Sequence, residues 1–138
     1  YTKIKYNVST RIKRWDGSRK LLYKLMANSF INKKNDLTTT DLTTVYTVPS
    51  FKTAVVKSIL ISDDSGSGTT IDVTLVDAST NIFSLFKSKS VSANTTVELL
   101  TQPLVMEASE ALKVQAAYAN RLHVVVSILE IEPREVTT

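Results

Sequence analysis

Short segments rich in β-branched residues, separated by turn residues, follow one another from residue 44 to residue 131, and this pattern restricts the fold more than any other feature. Such spacing is typical of an antiparallel sandwich or barrel. Apolar and polar residues alternate in segments 71–75 and 112–116, as they do in strands with one buried face. Eight strands are therefore predicted, at residues 44–48, 53–62, 69–77, 82–87, 95–100, 103–106, 111–117 and 121–131.

Two segments within these strands, 55–61 and 122–131, are apolar on both faces for most of their length. Such strands lie in the centre of a sheet or have an outer face that a partner covers. In the second case Val125, Leu129 and Ile131 form an exposed apolar patch of a kind that monomers avoid. We therefore expect an all-β, jelly-roll-like antiparallel β-sandwich that self-associates or docks through its last strand. Its predicted core residues are Val55, Ile59, Ile71, Val73, Leu75, Leu112, Val114, Val124 and Val126.

The N-terminal part of the chain is strongly basic. Residues 1–36 hold ten Lys and Arg against two Asp, whereas the rest of the chain holds seven Lys and Arg against eleven Asp and Glu. A segment of like charge resists compaction and binds acidic partners. We accordingly divide the chain into a basic arm with a linker, residues 1–41, and a sandwich body, residues 42–138. The arm is expected to be poorly ordered alone, to become ordered on docking, and to be removable as residues 1–36 without unfolding the body.

Within the arm, segments 11–15 and 19–24 flank the dipeptide Asp16-Gly17. Asp-Gly readily adopts the positive φ angles of a two-residue turn, so a β-hairpin is predicted. A short helix over residues 19–30, with its leucines on one face, is the alternative. Residues 32–41 are polar and rich in threonine, which predicts a linker between arm and body.

Aromatic residues are interspersed among the basic residues of the arm. Such a segment can bind an acidic protein neighbour, or it can neutralise phosphates and stack on bases. The protein neighbour is the favoured interpretation, a solvated surface comes next, and nucleic acid comes last. Trp15 is the expected anchor, because a buried indole contributes a large contact area. The predicted partner-binding residues of the arm are Lys5, Arg11, Lys13, Arg14, Trp15, Arg19, Lys20 and Tyr23.

Side chains that could support catalysis are few. The chain has no cysteine and one histidine, His123, for which a strand-face position is the favoured interpretation. Asp63 and Asp64 precede two glycines but lack the ligand spacing of an EF-hand, so a solvated turn is predicted. Three glycines are too few for a phosphate-binding loop. We expect no catalytic residue, no metal and no cofactor, and a protein that is not an enzyme.

The sequence also bears on membrane insertion. No run of about 18 apolar residues occurs, and no apolar stretch follows the charges near the N-terminus, so neither a membrane span nor a signal peptide is predicted. A soluble protein, cytoplasmic at synthesis, is expected.

Four parts of the body have sequence patterns that also occur in a known family, in the same order along the chain. They are residues 42–49 (LTTVYTVP), 52–59 (KTAVVKSI), 90–99 (SVSANTTVEL) and the pair 112–116 and 122–131. Over residues 42–131 the chain thus resembles small β-sandwich virion proteins of tailed bacteriophages. It departs from that family at Ser50-Phe51 and Ala108-Ser109, where the family usually has turn glycines. The basic arm lies outside the resemblance.

The resemblance implies a non-enzymatic structural protein of the virion, either a capsid decoration (cement) subunit or an accessory subunit of the neck, tail or baseplate. Its implied partners are other capsid or tail subunits and further copies of the chain, with a trimer favoured. The implied location is the virion, and the host cytoplasm during assembly. The alternative is a carbohydrate- or receptor-binding β-sandwich module of a tail fibre, which would present exposed aromatic platforms.

Overall fold

The computed structural model describes residues 11–15, 21–25 and 28–132, and for the first two segments it describes the backbone alone. Within these ranges the chain forms eleven strands and no helix, so no described helix is long and apolar enough to cross a membrane. The strands are β1 (Arg11–Trp15), β2 (Leu21–Leu25), β3 (Asn28–Asp36), β4 (Thr43–Thr47), β5 (Thr53–Asp63), β6 (Thr69–Val76), β7 (Ile82–Val91), β8 (Thr96–Glu98), β9 (Leu104–Met106), β10 (Ala111–Ala116) and β11 (Leu122–Ile131).

Strands β3 to β11 form two antiparallel sheets. The strand order of the five-stranded sheet is β3-β11-β5-β8, with β9 also paired to β5, and that of the four-stranded sheet is β4-β10-β6-β7. Strands β8 and β9 pair with different parts of the same strand, around Ile61 and Val55 respectively. With β8 and β9 counted as one position, each sheet has four positions, and the order is that of a jelly roll. The predicted jelly-roll-like sandwich is confirmed, and all eight predicted body strands are present.

The core lies between the sheets and is supplied by alternate residues of each strand. Along β11 every second side chain, from Leu122 to Glu130, is buried. Strands β5 and β11 are central strands, as their apolar character predicts. Most of the predicted core residues are buried, but Leu75 is only partly buried and Val55 faces outward. The prediction for Val55 was wrong because a β-bulge follows it in β5, opposite Ser127 and Ile128, and reverses the side-chain alternation.

Strand β3 was missed by the sequence analysis. It pairs with β11 along its whole length, from Asn28↔Ile131 to Asp36↔His123. The predicted linker is therefore wrong for residues 32–36, and the division at residue 41 does not coincide with the limit of the sandwich. Strand β3 is an edge strand, in which Ile31 alone packs against the core as an apolar side chain, so no clear alternation marks it. Its polar and charged residues are the kind that protect an exposed sheet edge.

Strands β1 and β2 form an antiparallel hairpin, which confirms that prediction and contradicts the helix over residues 19–30. The register pairs Trp15 with Leu21, so the connection is longer than the expected two-residue turn. Asp16-Gly17 and residues 1–10 lie outside the described residues. The expectation that the arm orders only on docking stays a prediction.

Two residues that stand where the resembled family has turn glycines adopt the left-handed backbone conformation that favours glycine. Phe51 has a φ of 66° and Ser109 a φ of 69°. Phe51 lies in the turn after β4 and Ser109 in the turn after β9, where the amide of Ser109 donates to the carbonyl of Val48. The turns thus keep a glycine-like shape although the residues differ.

Candidate functional site

The outer face of the five-stranded sheet carries a row of apolar side chains that crosses all four strand positions. Phe30 on β3 pairs with Leu129 on β11, Leu129 pairs with Val55 on β5, and Val55 pairs with Val105 on β9. Phe30 is 79% exposed and Val105 is 59% exposed, while the two central residues are half-buried. We call these four residues the apolar row. The bulge that turns Val55 outward completes it.

A second row crosses the same face, nearer the other end of the strands. Lys34 on β3 pairs with Val125 on β11, Val125 with Leu60 on β5, and Leu60 with Glu98 on β8. We call these residues the charged row, because its apolar centre is flanked by a lysine at one sheet edge and a glutamate at the other. Lys34 makes no ion pair within the described part of the chain.

The carboxylate of Glu98 is fixed in place. It accepts hydrogen bonds from the Ser58 hydroxyl, from the Ile59 amide at 2.8 Å and from the Leu100 amide at 3.2 Å. On this edge of β5, strand β9 pairs with residues 54–56 and β8 with residues 60–62, so Glu98 satisfies the Ile59 amide in the gap between them. The negative charge at this edge of the charged row is therefore held at a defined position.

The predicted residues Val125, Leu129 and Ile131 all lie on this outer face, where each is half-buried. Val125 belongs to the charged row, Leu129 belongs to the apolar row, and Ile131 lies beyond the apolar row toward the end of β11. Their placement is as the alternation predicts, and their role in partner binding stays a prediction. The apolar residues beside them were not predicted. Phe30, Leu60 and Val105 extend the apolar surface over neighbouring strands.

The arm residues of the predicted site are placed only in part. Arg11, Lys13, Arg14 and Trp15 lie on β1, and Tyr23 lies on β2. The register pairs Lys13 with Tyr23. The remaining predicted contacts, Lys5, Arg19 and Lys20, lie outside the described residues.

His123 lies at one end of the outer face, between two carboxylates. Its Nε2 is 3.3 Å from Asp36 Oδ1 and its Nδ1 is 3.8 Å from Asp64 Oδ2. The side chains of His123, Asp36 and Asp64 are 41%, 61% and 71% exposed, so solvent and salt weaken the contacts between them. Among the described residues no group of three or more His, Cys, Asp and Glu side chains could hold a metal ion.

One carboxylate is buried between the sheets. Glu130 on β11 accepts a hydrogen bond from the Tyr46 hydroxyl of β4 at 2.7 Å, and Lys52 Nζ lies 3.3 Å from its other oxygen. Burial raises the pKa of Tyr46 well above its usual range, and the hydrogen bond and charge of Glu130 raise it further. The cluster links one sheet to the other. Both oxygens of Glu130 are bound within the cluster, by the Tyr46 hydroxyl and by Lys52, which favours a structural role.

The Asp63 loop is a turn, as predicted, but Asp63 itself is buried and not solvated. Its Oδ1 accepts hydrogen bonds from the Ser65 amide at 2.6 Å, the Ser65 hydroxyl at 2.8 Å and the Gly66 amide at 3.2 Å. Burial by itself would raise the pKa of Asp63, but these hydrogen bonds outweigh it and lower the pKa. The carboxylate holds the loop closed.

The outer face of the four-stranded sheet bears a shallow, open groove. Leu42, Thr74, Ile82, Lys113 and Gln115 are among its lining residues, and none of the lining side chains is aromatic. Asp72, which also lines it, accepts a hydrogen bond from the Ser88 amide at 2.6 Å and so stabilises the irregular pairing of β6 and β7. The groove lacks the aromatic platform expected of a sugar-binding face.

Comparison with known proteins gives no family. No family model matches the chain, and no curated protein matches it. Among solved structures, a pentameric capsid protein from metagenomic phage sequences is 22% identical, with a TM-score of 0.39, over 75% of this chain and 59% of that chain. The CBM22-1–GH10 modules of Clostridium thermocellum endo-1,4-β-D-xylanase 10B, complexed with xylohexaose, are 10% identical, with a TM-score of 0.39, over 94% of this chain and 25% of that chain. The chain spans less than two thirds of either, and likenesses this low assign no function to it.

Proposed function

We propose that the chain is a non-catalytic structural protein of a tailed-phage virion, a decoration (cement) subunit or a neck, tail or baseplate accessory. It binds neighbouring subunits through the outer face of its five-stranded sheet and through its basic N-terminal segment. The observation that carries the proposal is the apolar row, in which Phe30 and Val105 present apolar side chains to solvent on either side of Leu129 and Val55. Contiguous exposed apolar surface of this kind is typical of a protein interface.

The acidic groups of the described residues support a structural role over a catalytic one. Glu130, Asp63, Glu98 and Asp72 each hold a strand, a loop or a bulge in place by hydrogen bonds. A catalytic site would need titratable groups that converge on a cavity. A jelly roll is found in capsid proteins and in lectins alike, so the choice of the virion rests on the sequence resemblance over residues 42–131.

The proposal extends to partners and location. Capsid or tail subunits and further copies of the chain are the proposed partners, a homo-oligomer is proposed with a trimer suggested by the resemblance, and no cofactor is required. Trp15 and its basic neighbours are proposed to contact an acidic protein surface, with nucleic acid the less favoured partner. The protein would reside in the virion after assembly in the host cytoplasm.

Quantitative mass spectrometry of purified particles, separated into head and tail fractions, tests the proposal. We expect the chain in one of the two fractions at a fixed ratio to the major subunit of that fraction. Absence from washed particles, with the protein recovered free in the lysate, would contradict a structural role. Glycan-array binding by the free protein, together with that absence, would favour the carbohydrate-binding alternative.

A further inference from the structure

The charged row has opposite charges at its two ends. It runs from Lys34 at the β3 edge through Val125 and Leu60 to Glu98 at the β8 edge. A second copy of this row, turned end for end, is therefore complementary to the first in charge. The apolar row, turned the same way, places only apolar side chains against apolar side chains.

We propose that this face binds the same face of a second copy of the chain about a two-fold axis. The inference rests on the proposed function and names one of its partners. The axis lies between the facing outer faces of the two copies. It runs parallel to the strands, above the line midway between β11 and β5. Such a rotation reverses the order of the strands but keeps each position along them, so every row faces itself in reverse. Lys34 then meets Glu98 of the second copy, and Val125 meets Leu60.

The same rotation matches the apolar row. Phe30, the largest side chain of the row and the most exposed, faces Val105 of the second copy. Leu129 faces Val55, so the half-buried centre of one row is covered by the centre of the other. Between the two rows lie Ser127, Ser58 and Lys57, the exposed residue at the bulge, and these three lie in the middle of the face for either choice of axis.

The other two-fold arrangement of the two faces is disfavoured. An axis perpendicular to the strands would keep the strand order and exchange the rows, which would place Lys34 over Phe30 and Glu98 over Val105. Both charges would then face an apolar side chain instead of an opposite charge, which disfavours this arrangement. The axis along the strands pairs Lys34 with Glu98 and, at the same time, places the apolar row of one copy against the apolar row of the other.

The face is of the size that a dimer interface needs. Strand β11 has ten residues, which corresponds to about 30 Å, and the four strand positions span about 20 Å, a footprint of about 600 Å². A standard interface covers roughly 800 Å² of accessible surface per partner, which is of the same order. Apolar contact would provide the affinity, and the two Lys34–Glu98 pairs would fix the register.

Cysteine crosslinking tests the arrangement, since the chain has no cysteine of its own. Phe30→Cys and Val105→Cys are made as two separate full-length variants. Within one chain these positions are three strand spacings apart, about 14 Å, and each lies equally far from its own equivalent in the second copy. A bismaleimide shorter than that distance should therefore produce a covalent dimer from the co-expressed pair of variants and not from either variant alone.

Sedimentation of the full chain supplies the second readout. The two-fold pairing predicts a dimer or an even-numbered assembly in place of the trimer that the resemblance suggests. Phe30→Asp should dissociate it by placing an unpaired carboxylate in the interface. Phe51→Asp is the matched control, because Phe51 is also an exposed phenylalanine, at 85%, and lies outside the face. A monomer, a trimer, crosslinking of either single variant with itself, or equal sedimentation of the two Asp variants would overturn the two-fold pairing. Presence of the chain in washed particles would still uphold the proposed function in that case.

Discussion

At the scale of single residues, the buried carboxylate of Glu130 shows how a polar group can be accommodated in the core and align the two sheets. It would be costly alone between two sheets, but the Tyr46 hydroxyl and Lys52 Nζ both bind it. Tyr46 is on β4 and Glu130 on β11, so the hydrogen bond joins the sheets at one defined alignment. Alternation along β11 places Glu130 inward, but only the structure shows which side chain meets it.

Replacing Tyr46 by Phe should lower the free energy of unfolding by about 1 to 3 kcal/mol at neutral pH, because Glu130 would lose a buried donor. The folded pKa of Tyr46 is raised, so its stabilising contribution is complete below about pH 10, where an unfolded tyrosine is still neutral, and is lost as the pH rises above that value. The difference in stability between the native protein and Y46F should therefore shrink in alkali.

Urea unfolding at a series of pH values measures this difference. Tyr118→Phe is the control, since Tyr118 is exposed, and it should change stability by no more than about 0.5 kcal/mol at neutral pH. A gap between native protein and Y46F that widens in alkali would show that Tyr46 does not stabilise the fold as a neutral donor.

At the scale of elements, the strands that could be predicted are those whose burial produces a recognisable pattern of apolar residues in the sequence. Strands such as β6 and β10 alternate because one face is buried, and β5 and β11 are apolar throughout because they are central. Strand β3 shows neither alternation nor a continuous apolar run, since it lies at an edge and is held mainly by backbone pairing with β11. The rows of the outer face could not be predicted either, because they depend on register between strands far apart in sequence.

Strand β3 also changes what truncation should do. Removing residues 1–36 would delete the strand together with Ile31, which packs against the core, and would leave the edge of β11 unpaired. We expect this truncation to lose about 2 kcal/mol or more of stability, the burial of one large aliphatic side chain being worth roughly that much. Removing residues 1–27 should leave the sandwich folded.

Thermal unfolding of the two truncated proteins checks this expectation, with the full chain as the reference. Equal melting temperatures for the two truncations would show that β3 contributes nothing to the fold, as a linker would. A large loss on removal of residues 1–27 would show that the sandwich depends on the hairpin of β1 and β2.

At the scale of the whole molecule, the chain combines a jelly roll with a basic segment in front of it. Residues 1–27 hold eight of the seventeen Lys and Arg residues and one Asp. The sandwich offers an apolar face flanked by opposite charges, which suits a protein neighbour of defined geometry. The basic segment suits an acidic surface, and the two features together fit a subunit that contacts more than one neighbour in an assembly.

Incorporation into particles tests the central claim most directly. Full-length Phe30→Asp and Phe51→Asp are supplied during phage assembly in place of the native chain, after thermal unfolding has shown that both variants fold. The amount of each in washed particles is then measured by mass spectrometry. We predict that F51D is incorporated like the native chain and that F30D is depleted about tenfold or more, a loss of at least about 1.4 kcal/mol of attachment. Equal incorporation of the two variants would contradict the claim that the outer face of the five-stranded sheet binds a neighbouring subunit.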